Sequence, residues 1–306
     1  MDAAKYIWMN GKFIAWDDAK IHVLSHTLHY GNGVIEGTKA YKTEKGYAIF
    51  RLDEHTKRLK ESAKMTLIDI PYSVDEMNKA QIELVKMNEF TLDTVYIRPF
   101  AFLGYGVMGV YHKDAPVETV MAAWQWGAYL GEDALKHGIK LKIASMTRPA
   151  NTSNMGKAKA SANYLNSQMA KYEAIDCGYD EALLLDDQGY VAEASGACFF
   201  MVKNGELITP PHDNSLASIT QKMVIEMAED FGYKVTRRRI TREEVYVADE
   251  AFLTGTAAEI TPVALVDARE IGCGSRGEIT EKIQSTYFDI VFGRNKKYEH
   301  YLTYID

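Results

Sequence analysis

Cysteine is scarce in this chain. Three residues, Cys177, Cys198 and Cys273, stand in 306, widely spaced and with no C-x-x-C pair. That spacing argues against a zinc knuckle and suits a reducing compartment, so the cytoplasm is the expected location. No stretch approaches about 18 uninterrupted apolar residues, and no membrane span is expected. The first residues lack the apolar core of a secretory leader, and Asp17 and Asp18 fall where one would lie, so no leader is expected. Basic charge is also in short supply: 35 Lys and Arg against 42 Asp and Glu leave a net −7. A nucleic-acid surface needs clustered cations to neutralise phosphates, and none is expected here. The longest basic run, Arg237, Arg238 and Arg239 with Arg242, is broken by Ile240 and followed by Glu243 and Glu244, which reads as a solvated strand or turn. Internal repeats and low-complexity segments are absent.

What is present suits a soluble globular protein: 47% hydrophobic and 25% charged residues. The length points to about two domains, able to bury roughly three quarters of the unfolded surface. Nineteen tyrosines are many for this length. Tyrosine is favoured where one end packs and the other must hydrogen-bond, as at an interface or in a polar pocket.

Hydrophobic spacing predicts a helix over 52–67, capped by Asp53, with Leu59, Ala63 and Leu67 on one face. Ser73 and Glu76 form a capping box that opens a second helix. Strands are expected over 47–51, 94–103 and 119–126. A break at 127–131 marks the start of a linker (127–135) between a small N-terminal α/β domain (1–126) and a larger C-terminal domain (136–306). In the second domain a strand is expected over 140–146 and a helix over 161–177, stopped by Gly178. Strands over 181–185, 190–195 and 197–202, separated by turn residues, read as an antiparallel hairpin meander. Helices near 219–231 and 280–292 complete a mixed α+β chain without the βαβ rhythm of a doubly wound fold.

Several motifs have both a bland and a chemical reading. Gly104, Gly106 and Gly109 match G-x-G-x-x-G after a strand, but no helix start follows, so a dinucleotide site is not expected. His22, His26 and His29 share a helical spacing, yet no carboxylate pair accompanies them, and no metal is expected. Tyr96 and Arg98 alternate along a strand and so point to one face, where an arginine needs an anionic partner. Ser218, Ile219 and Thr220 open a helix whose free N–H groups suit an anion. Thr254 to Glu259 is a turn of small, hydroxyl-bearing residues. Each of these alone is most simply structural. Together with Lys159 before a helix, Glu193 in a strand and Arg58 on a helix they form a set.

That set resembles the fold-type IV pyridoxal-phosphate enzymes, and within them the branched-chain amino acid aminotransferases. The matching stretches are Leu28-His-Tyr-Gly31 with Glu36-Gly37, Arg51-Leu-Asp-Glu-His55 with Arg58-Leu59, Tyr96-Ile-Arg98-Pro99, Lys159-Ala with Asn163-Tyr164-Leu165, Glu193-Ala-Ser-Gly196, and Gly255-Thr-Ala-Ala-Glu-Ile-Thr-Pro262. They run nearly the full length. The resemblance implies a two-domain architecture like that of D-amino-acid aminotransferase. It also implies pyridoxal 5′-phosphate as cofactor and ping-pong transamination of leucine, isoleucine and valine with 2-oxoglutarate. By the same resemblance Lys159, five residues before Tyr164, holds the cofactor as a Schiff base. Glu193 faces the pyridine nitrogen and Tyr164 the ring hydroxyl oxygen. Arg58, Ile219, Thr220 and Thr256 hold the phosphate. Tyr96 and the N–H groups of Thr256 and Ala257 take the substrate α-carboxylate, and Arg98 with Tyr30 takes the second carboxylate of glutamate. Ile35, Tyr129, Tyr164 and a neighbouring subunit's Val110 line the apolar pocket, so a homodimer is the expected minimal unit, with a homohexamer left open. The chain departs from the family in carrying Ser218 before the Ile-Thr pair and Gln221 after it, where glycine and arginine are usual.

The implied chemistry makes physical sense. A substrate Cα–H ionises only if the charge flows into an electron sink, which a protonated pyridine ring provides. A carboxylate at Glu193 keeps the ring nitrogen protonated, and a neutral Lys159 amine moves the proton. An apolar wall accepts leucine but rejects a second carboxylate by several kcal/mol, a conflict that Arg98 resolves by bidentate pairing. Within the same fold the alternatives are a D-amino-acid or (R)-amine transaminase or an aminodeoxychorismate lyase, which would be expected to lack the Tyr-x-Arg-Pro pairing. Outside it stand a non-catalytic binding module and an NAD-dependent dehydrogenase.

Overall fold

The computed structural model describes residues 3–127, 130–213 and 215–305. Tyr129, one of the expected pocket residues, lies outside them. By contacts between residues the chain divides into two compact units. The first comprises Met1–Gly127, Ala158–Ala162 and Ile290–Asp306, and the second Ala128–Lys157 and Asn163–Asp289. The stretch expected to form one C-terminal domain therefore lends two segments to the first unit. The causes are a bridge between Val34 and Ala160 and the pairing of the C-terminal strand Leu302–Tyr304 with Phe50, Ile49 and Ala48.

The first unit carries β1 (Tyr6–Met9), β2 (Lys12–Ala15), β3 (Gly33–Ile35), β4 (Thr38–Thr43), β5 (Gly46–Phe50), β6 (Thr94–Leu103) and β7 (Val117–Gln125). Among the described residues these join the C-terminal strand in one sheet, ordered C-terminal strand-β5-β4-β6-β7-β1-β2, with β3 beside β6. Its helices are α1 (His26–Tyr30), α2 (Leu52–Met65) and α3 (Val74–Asn88). Leu59, Ala63, Met77 and Leu84 pack with Ile49, Val95, Ile97 and Met121 into the core. Ser73 caps α3 as expected: its Oγ accepts from Glu76 N–H, and Glu76 Oε2 accepts from Ser73 N–H. The start of α2 differs from expectation. Arg51, not Asp53, takes the cap position, in a left-handed conformation with φ 51°. Asp53 sits in the first turn instead, where a carboxylate complements the helix dipole. Leu67 lies beyond the helix end at φ 58° and is exposed rather than in the apolar face.

The second unit carries α4 (Glu132–His137), β8 (Ile139–Ile143), α5 (Tyr164–Asp176), β9 (Glu181–Leu185), β10 (Val191–Ala194), β11 (Cys198–Lys203), β12 (Glu206–Thr209) and α6 (Ile219–Asp230). It continues with β13 (Val235–Arg237), α7 (Arg242–Tyr246), β14 (Glu250–Gly255), β15 (Glu259–Val266), β16 (Arg269–Glu270) and α8 (Glu278–Val291), whose last two residues fall in the first unit. The meander is corrected. β9 and β10 form one hairpin and β11 and β12 another, but the sheet runs β10-β9-β8-β15-β14-β11-β12-β13, which separates the two hairpins. β8 pairs parallel to β9 and to β15, so the sheet is mixed. Turn residues fix each hairpin locally. They do not reveal that long-range pairing inserts β8, β15 and β14 between the hairpins. Among the described residues no helix is long and apolar enough to cross a membrane.

Candidate active site

In the first unit β3 ends at Ile35, and Glu36 and Gly37 lead the chain into β4. Backbone ties fix this joint. Ile35 N–H donates to the Lys159 carbonyl at 2.9 Å, and Glu36 N–H donates to the Pro99 carbonyl at 2.8 Å. Lys159 N–H in turn donates to Ser62 Oγ at 3.0 Å. The Lys159 peptide is thus held on both sides and its side chain is half-buried, whereas Lys157 is exposed.

One face of α2 presents His55, Arg58 and Ser62, three and four residues apart. Glu36, wholly buried, receives the first two. Its carboxylate accepts from Arg58 Nε at 2.6 Å and Nη2 at 3.0 Å, a bidentate pair. It also accepts from His55 Nδ1 at 2.8 Å and from Gly37 N–H at 3.1 Å. Burial pushes Glu36 towards protonation, but the charge of Arg58 and the bond from His55 outweigh it and hold the group well below the usual carboxylate range. Burial pushes His55 down, against the pull of Glu36. The neutral ring with its proton on Nδ1 is the tautomer the hydrogen bond assigns.

β6 brings Tyr96 and Arg98 to one face, and Arg98 Nη2 donates to Tyr96 Oη at 3.2 Å. The Tyr96 ring packs against both Trp124 and Trp126, with centroids 5.1 and 5.0 Å away. Gly37 makes room for it, because a Cβ there would fall 2.0 Å from Tyr96 Oη. Arg98 Nε is buried and has no hydrogen-bond partner, which leaves a donor for an anion. Ile35 stands at the end of β3, opposite Phe100.

No helix follows the glycines at 104–109, so the dinucleotide reading gains nothing from the structure. The loop is instead pinned to α1. His26 Nε2 lies 2.8 Å from the Gly109 carbonyl, and Gly109 N–H donates to Tyr30 Oη at 3.1 Å. Val23, Leu28, Met108 and Val110 are exposed around this contact, Val110 at 86%. Among the described residues no group of three or more His, Cys, Asp or Glu could hold a metal ion.

In the second unit the loop after β8 docks on β9, where Arg148 N–H donates to the Leu185 carbonyl at 2.8 Å. β10 neighbours β9 and sets Glu193 opposite Leu184. Arg148 Nη2 then reaches Glu193 Oε1 at 2.8 Å, with both side chains largely buried. Tyr164 begins α5 and is half-buried. Ile219 and Thr220 are the first, buried residues of α6, and Ser218 Oγ caps it by accepting from Gln221 N–H at 3.1 Å. Gln221 is itself buried: its Nε2 donates to Thr209 Oγ1 at 2.9 Å, which donates to the Phe199 carbonyl at 2.8 Å. Thr256 and Ala257 lie in the turn between β14 and β15, half-buried, and Glu259 closes it at φ 52°. Thr254 Oγ1 nearby is buried without a partner.

Each unit presents groups whose chemistry suits parts of a phosphorylated pyridine aldehyde. The first unit offers an amine at Lys159 and a guanidinium at Arg58. The second offers a carboxylate at Glu193, a helix N-terminus at Ile219 and Thr220, and a hydroxyl-bearing turn. Three residues around these sets carry no role readable from the sequence. Glu36 and His55 are letters of a motif there, and Arg148 is one charge in a polar loop. Arg148 and Glu193 are brought together by strand order, for which no local spacing gives a sign.

The amino-transferase class IV family model matches residues 33–266. A branched-chain-amino-acid aminotransferase of Pseudomonas aeruginosa is 48% identical over 299 residues, covering 98% of this chain and 97% of its own. Among solved structures, the branched-chain amino acid aminotransferase of Escherichia coli superposes with a TM-score of 0.96 at 40% identity, over 99% of this chain and 100% of its own. The holo form of the Thermobaculum terrenum branched-chain amino acid aminotransferase, with its coenzyme in the PLP form, superposes with a TM-score of 0.94 at 36% identity, over 100% of both chains.

Proposed function

The chain belongs to the class IV aminotransferases, and on that premise we propose how its residues divide the work. It is a branched-chain-amino-acid transaminase that depends on pyridoxal 5′-phosphate. It passes the amino group of leucine, isoleucine or valine to 2-oxoglutarate, giving the branched-chain 2-oxo acid and L-glutamate. When bound, the coenzyme supplies the electron sink that makes the substrate Cα–H acidic.

The residues do the rest. Lys159 Nζ holds the coenzyme and, once released, takes the proton from the substrate Cα. Glu193, oriented by Arg148, sets a negative charge against the ring nitrogen. Tyr164 hydrogen-bonds the ring hydroxyl oxygen. Arg58, the N–H groups at Ile219 and Thr220, and Thr256 hold the phosphate. Tyr96 Oη and the N–H groups of Thr256 and Ala257 orient the α-carboxylate. Arg98 and Tyr30 receive the distal carboxylate of glutamate, while Ile35, Tyr129, Tyr164 and, from a neighbouring subunit, Val110 exclude water from an apolar side chain. The reading rests on Lys159, a half-buried amine on a peptide clamped by Ile35 and Ser62.

The working unit on this reading is a homodimer, with a homohexamer as a further assembly, and the cytoplasm suits its free cysteines. Exposed Val23, Leu28, Met108 and Val110 on two segments tied by His26 and Tyr30 support a self-associating face. Activity that survives dilution to monomer would remove that part.

Borohydride reduction followed by digestion and peptide mass analysis tests the whole. A coenzyme adduct on Lys159 is expected, and an adduct on another amine, or none, overturns the assignment. A panel of L-Leu, L-Ile, L-Val, D-Ala and (R)-1-phenylethylamine with 2-oxoglutarate tests the substrate class. The first three donors should turn over and the last two should not.

A further inference from the structure

Glu36 grips Arg58, and it is built as a fixed point. Its own N–H is tied to the Pro99 carbonyl. Its side chain is wholly buried and accepts from His55 Nδ1 and Gly37 N–H as well as from two nitrogens of Arg58. Arginine carries large rotamer freedom, and a bidentate pair with an immobile carboxylate removes it. The guanidinium plane is therefore set before any ligand arrives.

We propose that Glu36 is a positioning residue for the coenzyme phosphate: it orients Arg58, and the phosphate is selected by aimed N–H donors rather than by surplus positive charge. The proposal rests on the role given above to Arg58 as a phosphate contact. The charge count makes it distinctive. Arg58 and Glu36 cancel, and His55 adds no charge when neutral, so the cluster presents directed donors with little net field. Simple charge attraction and positioning then predict opposite signs for one substitution. Glu36→Gln removes a negative charge, so attraction alone would tighten phosphate binding. Positioning requires that it loosen, because an amide cannot accept from both Arg58 nitrogens with its N–H₂ end.

The test titrates the full-length chain, freed of coenzyme, with pyridoxal 5′-phosphate and with pyridoxal, following absorbance. The ratio of the two affinities isolates the phosphate contact, and a general folding defect leaves that ratio unchanged. For Glu36→Gln the preference for the phosphorylated form should fall roughly ten- to a hundredfold, the scale of one or two charge-assisted hydrogen bonds. An unchanged or larger preference overturns the proposal. If that variant fails to fold, Glu36→Asp decides: it keeps the charge but draws it back by one methylene. Its preference should fall, and a wild-type ratio would overturn the proposal. Failure of the unsubstituted chain to bind pyridoxal 5′-phosphate would instead strike the functional reading itself.

Discussion

Arg148 Nη2 lies 2.8 Å from Glu193 Oε1, and the backbone of Arg148 is docked on β9, the strand beside the one that carries Glu193. The pair is thus positioned by sheet order, with each member held where the other needs it. Breaking a buried pair leaves one charge uncompensated. Glu193→Gln, which removes the charge proposed to face the ring nitrogen, should lower kcat by roughly 10²–10³, the usual cost of one preorganised electrostatic group. Arg148→Met should cost less, about tenfold, because Glu193 keeps its charge and loses orientation. Single-turnover rates with leucine check both. An Arg148→Met variant at the full wild-type rate would show that the pair is only structural.

Arg98 has a buried Nε without a partner and an Nη2 bonded to Tyr96 Oη. A second carboxylate would satisfy the unpaired donor, while a leucine side chain would not. Arg98→Ala is therefore expected to slow the half-reaction with glutamate or 2-oxoglutarate on the order of 100-fold and the leucine half-reaction far less. The half-reactions are measured separately by stopped-flow absorbance. Equal losses in both would count against a distal-carboxylate role.

Much of this arrangement is local and so was legible. The Ser73–Glu76 box, the stop at Gly178 and the shared face of Tyr96 and Arg98 all follow from spacings of a few residues. The remainder depends on which distant segments pair. Glu36 meets Arg58 because β3 leads into β4 beside α2, and the 22-residue separation carries no sign of it. Likewise β8, β15 and β14 separate two hairpins that read as one meander. Arg51 rather than Asp53 takes the cap of α2, and its N–H donates to the Tyr301 carbonyl, at the far end of the chain. Tertiary bonds overrode a local preference at that point.

Gly37 offers a test by volume alone. A methyl group there would fall 2.0 Å from Tyr96 Oη and 2.7 Å from its Cζ. The ring cannot swing freely, since it packs against Trp124 and Trp126 and is 5% exposed. Overpacking of this kind typically costs about 1–3 kcal/mol. Gly37→Ala should displace the phenol proposed to orient the α-carboxylate and lower kcat/KM by roughly ten- to a hundredfold. Coenzyme affinity should stay within about threefold, since the role proposed for Tyr96 is at the substrate and not at the phosphate. Steady-state kinetics beside a coenzyme titration separates the two effects, and a loss in the titration alone would move Tyr96 out of the substrate site.

The buried His55 and Glu36 also set how stability depends on pH. Burial lowers His55 from its ordinary 6.5, so as pH falls through that value the unfolded chain takes up a proton that the folded chain refuses, and stability drops. Glu36 acts at lower pH with the same sign. Burial works against its charge, but Arg58 and His55 keep its folded value depressed, so its stabilisation is full above about 4.5 and is lost as pH falls below that value towards the folded one. Thermal midpoints should therefore decline in two stages on acidification. His212, also lowered by burial, contributes to the first stage, so the decisive quantity is a difference. In His55→Gln the amide can still donate to Glu36 but does not titrate. The gap in midpoint between wild type and this variant should narrow from pH 8 to pH 5 as the wild type loses its advantage. A gap that stays constant across that range would mean that His55 titrates alike in the folded and unfolded chain, contrary to its burial beside Arg58.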